Sequence, residues 1–170
     1  MLDINNTLLR MPIEQDKKNF LLMRNDLELQ GTLMSRAKPN TIKKVEDWLN
    51  RRLSDDSGIF FVIAEAKSNN CIGFLQLVNI DFISRRGDLG ICLNKESQGQ
   101  GYAKDALSQL EIYAKRVFNI RKINLQVLND NHRAIKFYKK MGYNHVGILQ
   151  EHFYLNESFH DVLIMEKIYK

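Results

Sequence analysis

Gln98-Gly99-Gln100-Gly101-Tyr102-Ala103 is the stretch of this chain best able to do chemistry through its backbone. It stands between an apolar, strand-like run, Leu89-Gly90-Ile91-Cys92-Leu93, and a helix-like run that begins near Ala103. Glycine lets the backbone approach a ligand closely. A helix N-terminus adds unpaired N–H groups and partial positive charge. Together they suit a phosphate, a pyrophosphate in particular. A plain glycine turn into a helix has the same pattern, so the loop alone leaves the ligand open.

Spacing argues against two familiar phosphate sites. The loop lacks G-x-x-x-x-G-K-[ST], which disfavours a nucleotide-triphosphatase loop. Gly99-Gln100-Gly101 is followed by Lys104, where a dinucleotide fingerprint needs a third glycine or an alanine. The loop also falls in mid-chain, after three runs that look antiparallel.

The elements that position the loop follow from periodicity. Thr7 to Met11 forms a first strand, and Ile13 to Leu29 one helix or two short ones, with Leu21, Leu22, Asn25 and Leu29 near one face. Pro39-Asn40-Thr41 starts a helix that groups Ile42, Val45, Trp48 and Leu49. Ile59 to Ala66 and Cys71 to Ile80 are strands joined by a hairpin, and a third strand ends at Leu93. After the loop, Ala106, Leu107, Leu110, Tyr113, Ala114 and Val117 recur at helical steps. Ile123, Leu125 and Val127 alternate with Asn124 and Gln126, a strand with one polar face. Asn129-Asp130-Asn131 caps a helix carrying Ala134, Ile135, Phe137, Tyr138 and Met141, with Gly142 at its C′ position. Strands at 143–149 and 162–168 close the chain. The fold class is α/β (α+β): a mostly antiparallel central sheet of about seven strands with helices on both faces.

Bulk properties fit one domain over residues 1–170. There is no apolar run long enough to span a membrane and no basic N-terminal segment followed by an apolar core, so no membrane partner is expected. Cys71 and Cys92 lie in strand-like runs and are expected to be buried thiols. A cytoplasmic location follows. The formal charge of +5 allows an anionic partner, but the basic residues are dispersed in pairs, which argues against nucleic acid.

The residues then form a pattern. Gln98-x-x-Gly101-x-Ala103 matches the (R/Q)-x-x-G-x-(G/A) acyl-CoA loop of the GNAT superfamily of N-acetyltransferases. The run from Asn131 through Ala134 and Tyr138 to Gly142-Tyr143 resembles the second signature, N-x-x-A-x-x-x-Y-x-x-x-G-[FY]. The closing Gly147-Ile148-Leu149 and Asp161 to Met165 are similar to the branch of ribosomal-protein, polyamine and amino-sugar acetyltransferases. The resemblance is strong from Leu89 to the C-terminus.

It implies a GNAT-like fold and an acetyl-CoA-dependent N-acetyltransferase, working by direct attack of a primary amine in a ternary complex without a metal. Acetyl-CoA would lie against Ile91, Cys92 and Leu93, with its pyrophosphate on the amides of Gly99, Gln100, Gly101, Tyr102 and Ala103. Gln98 would brace the loop, Lys104 would add charge, and Asn131 and Tyr138 would complete the cofactor site. Tyr138 matches the family's general acid. Asp88 is the candidate base, with Glu65 or a water chain as the other choices. Cys92 is read as strand packing rather than a nucleophile. His132 is read as solvent-exposed. Glu151, His152, Tyr154, Glu157 and His160 in the Gln150–Asp161 segment are candidates for acceptor capture, together with the N-terminal helices. The acceptor is a small-molecule or peptide amine: a nucleotide-linked amino sugar, an N-terminal peptide amine or a polyamine. Positive charge mildly favours the anionic one. A non-catalytic acyl-CoA-binding regulatory module is the alternative, and the exposed sheet edges of such a fold admit a homodimer.

Overall fold

Alternation along the strands sorts the residues onto two sheet faces, and each face builds its own core. Even-numbered Phe60, Val62, Phe74 and Cys92 join one core, while Ile63, Leu75, Leu77, Leu89, Leu93, Ile123 and Leu125 join the other. A computed structural model describes residues 6–36 and 38–170. The chain runs β1 (Thr7–Arg10), α1 (Asp16–Asn25), α2 (Leu27–Thr32), α3 (Ile42–Leu53), β2 (Ile59–Glu65), β3 (Cys71–Asp81) and β4 (Arg86–Leu93). It continues through α4 (Tyr102–Phe118), β5 (Lys122–Leu128), α5 (His132–Lys140), β6 (Asn144–Leu155) and β7 (Ser158–Ile168). The seven strands form one sheet in the order β1-β2-β3-β4-β5-β7-β6. Every neighbouring pair is antiparallel except β4 and β5.

Helices cover both faces, as expected. Phe20 and Met23 of α1 and Val45, Trp48 and Leu49 of α3 close one core, where Phe20, Trp48, Phe60 and Phe74 pack with ring centroids 5.3 to 6.2 Å apart. On the other face α4 contributes Ala106, Leu107, Leu110 and Ala114, and α5 contributes Tyr138.

Two expectations change, and one open choice is settled: the segment over 13–29 forms two short helices, divided at Asp26, whose backbone is extended and whose carboxylate caps α2 by accepting from the Leu29 N–H at 3.0 Å. Its apolar face is set by Phe20 and Met23, while Leu22 points outward. The last two strands run on through Gln150–Asp161 as a continuous hairpin, turning at Asn156 and Glu157, both at positive φ. Bulges at 145–147 and 149–153 break the period of two there, which hides the strands from a pattern reading. Met1 to Asn5, the basis of the N-terminal reading, lie outside the described residues.

One topological fact positions the site. β4 pairs with β3 along its length and β5 with β7 along its length, but β4 meets β5 only from Arg86–Asp88 against Lys122–Asn124. Beyond that the strands part, and the β5-facing edge of β4 from Leu89 onward is unpaired.

Candidate active site

The loop before α4 is shaped by two left-handed glycines. Gly99 and Gly101 have φ of +80° and +86°, a region that costs an L-residue ~1–2 kcal/mol. Gly101 is the N-cap of α4, and no side chain caps the helix. The first-turn amides of α4 therefore have no intrahelical acceptor, and the space beside the Gly101 Cα is open. Gln98 braces this loop from both sides. Its Nε2 donates to the Leu93 carbonyl at 3.2 Å, and its Oε1 accepts from Arg133 Nη1 at 3.2 Å.

A cavity of about 1110 Å³ threads the gap between β4 and β5. Gly99, Gly101, Ala103, Lys104 and Arg133 line the loop end. Ile91, Cys92 and Leu93 face Leu125 and Val127 in the middle, with Asn131 and Tyr138 alongside. Asn79, Arg86, Asp88, Lys122, Asn124 and Glu166 line the far end, and Glu28, Leu29, Thr32 and Leu33 also line the cavity, with Glu28 bonded to Lys95 near the loop end. Asp88 lies five residues before Leu93 on β4, about 17 Å at strand rise.

Most of the sequence candidates meet here, and some do not. Asn131 lines the cavity while its Oδ1 accepts from the Ala134 N–H at 3.1 Å, capping α5. Tyr138 is buried, and burial pushes its phenol well above the ordinary value, so it is neutral at physiological pH. Asp88 accepts from the side-chain amides of Asn79 at 3.1 Å and Asn124 at 3.4 Å. Asn79 reaches it from the β3 bulge at φ +52°. Asp88 shares the even-numbered face of β4 with Cys92, whereas Tyr138 belongs to the opposite core, so the two approach the gap from opposite faces. Cys92 is 2% exposed, and burial pushes its thiol up to about 12, which leaves it a protonated packing residue.

The side chains of Gln100 and Tyr102 turn away from the cavity. Gln100 bonds the Glu96 carbonyl at 2.6 Å, and the Tyr102 hydroxyl donates to Glu65 at 3.0 Å. Glu65 also accepts from Ser68, and the Ser68 and Tyr102 hydroxyls hold its carboxyl below the usual range. It lies outside the cavity, so it braces the loop's first helical residue and is not placed to act as a base. Glu151, His152, Tyr154, Glu157 and His160 also lie outside the cavity. His160 instead bonds Asp130 at 3.0 Å. His132 is exposed on a separate groove with Lys136, Lys139 and Lys140.

Several lining residues escaped the pattern reading. Arg133 sits in the first turn of α5, inside the second motif, and its position there is the signal that could have found it. Asn124 and Gln126 form the polar face of β5, and alternation alone does not show that this face lines a cavity. Lys122 and Glu166 become neighbours only through the β5–β7 register.

This arrangement fits an acyl-CoA. Unpaired amides with two cations at one end suit a pyrophosphate. The free edge of β4 suits the amides of a pantetheine arm. No group of metal-ligating side chains is found among the described residues.

The sequence profile of the acetyltransferase (GNAT) domain matches residues 9–164. Spermidine N(1)-acetyltransferase from Vibrio cholerae is 30% identical over 119 residues, covering 70% of this chain and 68% of that protein. The Escherichia coli K12 enzyme of the same name is 30% identical over 122 residues, covering 72% of this chain and 64% of its own length. The crystal structure of the Vibrio cholerae spermidine N-acetyltransferase in complex with CoA and spermine superposes with a TM-score of 0.89 at 25% identity, covering 97% of this chain and 96% of that one.

Proposed function

The chain belongs to the GNAT acetyltransferase family, and from that premise we propose that it transfers the acetyl group of acetyl-CoA to a primary amine of a polyamine. The separation of charge along one cavity carries this reading. Among the described residues, Lys104 and Arg133 at the loop end pair with no carboxylate. At the far end the cations are already matched: Lys122 by Glu166, and Arg86 by Asp81 at 3.8 Å. Asp88 is bonded only by neutral amides. An anionic donor and a cationic acceptor thus each meet opposite charge. The net charge of the chain, which favoured an anionic acceptor, is a property of its outer surface and not of this end of the cavity.

The bound thioester supplies an electrophilic carbonyl and a thiolate leaving group. The amides of residues 99–103 and the side chains of Lys104 and Arg133 hold the pyrophosphate, while Gln98 and Tyr102 fix the loop. The backbone of Ile91–Leu93 holds the pantetheine arm as an added strand. An alkylammonium, with a pKa near ~10.4, must lose a proton before it attacks. Asp88 accepts that proton, directly or through a water shared with Asn79 and Asn124. Tyr138, neutral because it is buried, donates to the departing sulfur. A thiol, near ~8.5, is a stronger acid than this phenol. Tyr138 therefore stabilises the thiolate by a hydrogen bond more than by completed proton transfer.

The same reading takes the chain as one catalytic domain. It places that domain in the cytoplasm, in keeping with two buried free thiols. It puts any homodimer contact along the outer strand β6, where Val146 and Ile148 are half-exposed. The test is release of CoA thiol from acetyl-CoA in the presence of spermidine. Turnover is expected. Acetylation of another amine without spermidine turnover would overturn the polyamine assignment, and no thiol release with any amine would leave a binding module.

A further inference from the structure

The floor of the far end holds an ion pair that the transfer step does not use. Lys122 Nζ rests on Glu166 Oε2, with the two side chains 29% and 25% exposed, and both line the cavity. Strand register fixes their place. Asp88 stands opposite Asn124 across β4 and β5, and Asn124 opposite Glu166 across β5 and β7. The three form one row on the even-numbered face. The backbones of Asp88 and Glu166 are thus two strand spacings apart, about 9.5 Å. Only the neutral Asn124 stands between them.

Lys122 presents an alkylammonium to a carboxylate, inside a cavity that receives alkylammonium acceptors. We propose that Glu166 docks a second ammonium of the acceptor and that Lys122 occupies this point until the acceptor replaces it. The proposal rests on the polyamine reading above. Exchange of one ammonium for another keeps Glu166 paired throughout, so no half-buried carboxylate is left bare. The displaced Lys122 side chain, already part-exposed, turns to water.

The row also sets a length. With the reacting nitrogen at Asp88 and the second at Glu166, the two are roughly eight bonds apart at ~1.2 Å per bond of an extended chain. Linear triamines and long diamines satisfy this. Short diamines fall short, and a monoamine has nothing to place on Glu166.

The experiment compares kcat/KM for heptylamine, α,ω-diamines of rising length and spermidine, by thiol release, in the wild type, Glu166→Gln and Lys122→Met. In the wild type, diamines should gain over the monoamine as they lengthen towards diaminoheptane. Glu166→Gln should lower the diaminoheptane-to-heptylamine ratio about tenfold, through KM and not kcat, as loss of a charge-assisted bond predicts. Lys122→Met should raise that ratio by removing the competitor. Heptylamine turnover in each variant reports that the protein is folded. A ratio unchanged by Glu166→Gln, with polyamines still acetylated by the wild type, would overturn this proposal alone. Failure of the wild type to acetylate any polyamine would overturn the acceptor assignment and this proposal with it.

Discussion

The two ends of the cavity are built by different means. The loop end is made of backbone: two left-handed glycines and the uncapped amides of α4, within a few consecutive residues. The far end is made of side chains from a bulge in β3 and strands β4, β5 and β7. On the function proposed above, the first would hold a group shared by every acyl-CoA, and the second would hold the amine. A backbone site tolerates substitution of its neighbours but not of its glycines. A side-chain site can be rewritten one residue at a time while the fold stays the same.

Substitutions at each end should therefore fail in different ways. Asp88→Asn is expected to lower kcat about 10³-fold and Tyr138→Phe about 10²-fold, in the usual span for proton-transfer groups. Donor affinity, read by the rise in melting temperature with acetyl-CoA, should survive both. A lost thermal shift in Asp88→Asn would show that the two ends are not separate. Gly101→Val should do the opposite. Forcing a β-branched residue to φ +86° disturbs the amides, and KM for acetyl-CoA should rise about tenfold with kcat largely kept. An equal loss in kcat would mean the loop also steers the thioester.

The smallest effect concerns the buried thiols and phenols of the two cores, of which Cys92 and Tyr138 also wall the cavity. Burial raises the thiols of Cys71 and Cys92 from 9.0 to about 12 and lifts the phenols of Tyr138, Tyr143 and Tyr169 above 10.0. The unfolded chain releases these protons near pH 9 and 10 while the native state keeps them. The native state then binds more protons, so stability is fully present below about pH 9 and falls as pH rises. The melting temperature should drop by roughly 10 °C or more between pH 8 and 10.5. A flat profile would mean that these groups reach water in the folded protein.

The same contrast explains what could be read from the residues alone. Gln98 to Ala103 and Asn131 to Tyr143 are each contiguous, so their types and spacing carry the proposed donor site directly. The strands and helices around them follow from local periodicity, except where bulges break it at 145–153 and where Asp26 divides the first helix. Asp88 was visible as a strand carboxylate, but its amide partners were not, because Asn79 reaches it through an irregular turn of β3. Glu65 stands in sequence as the second strand carboxylate after Asp88. Only the hydroxyls of Ser68 and Tyr102 show that it serves the loop instead. Lys122 and Glu166 are 44 positions apart by their numbering and meet through a strand register that no local pattern encodes.

The parting of β4 from β5 has a further consequence, for solubility. An unpaired strand edge in a sheet invites another chain to pair with it and so promotes aggregation. Most proteins hide such edges at the rim. Here a run of open backbone from Leu89 lies in the middle of the sheet, with α4 and α5 on one face and α2 on the other. Helices flank that edge on both faces, so a neighbouring protein's strand meets them before it reaches the open backbone. The sheet thus keeps a reactive edge available to small molecules and closed to its own kind.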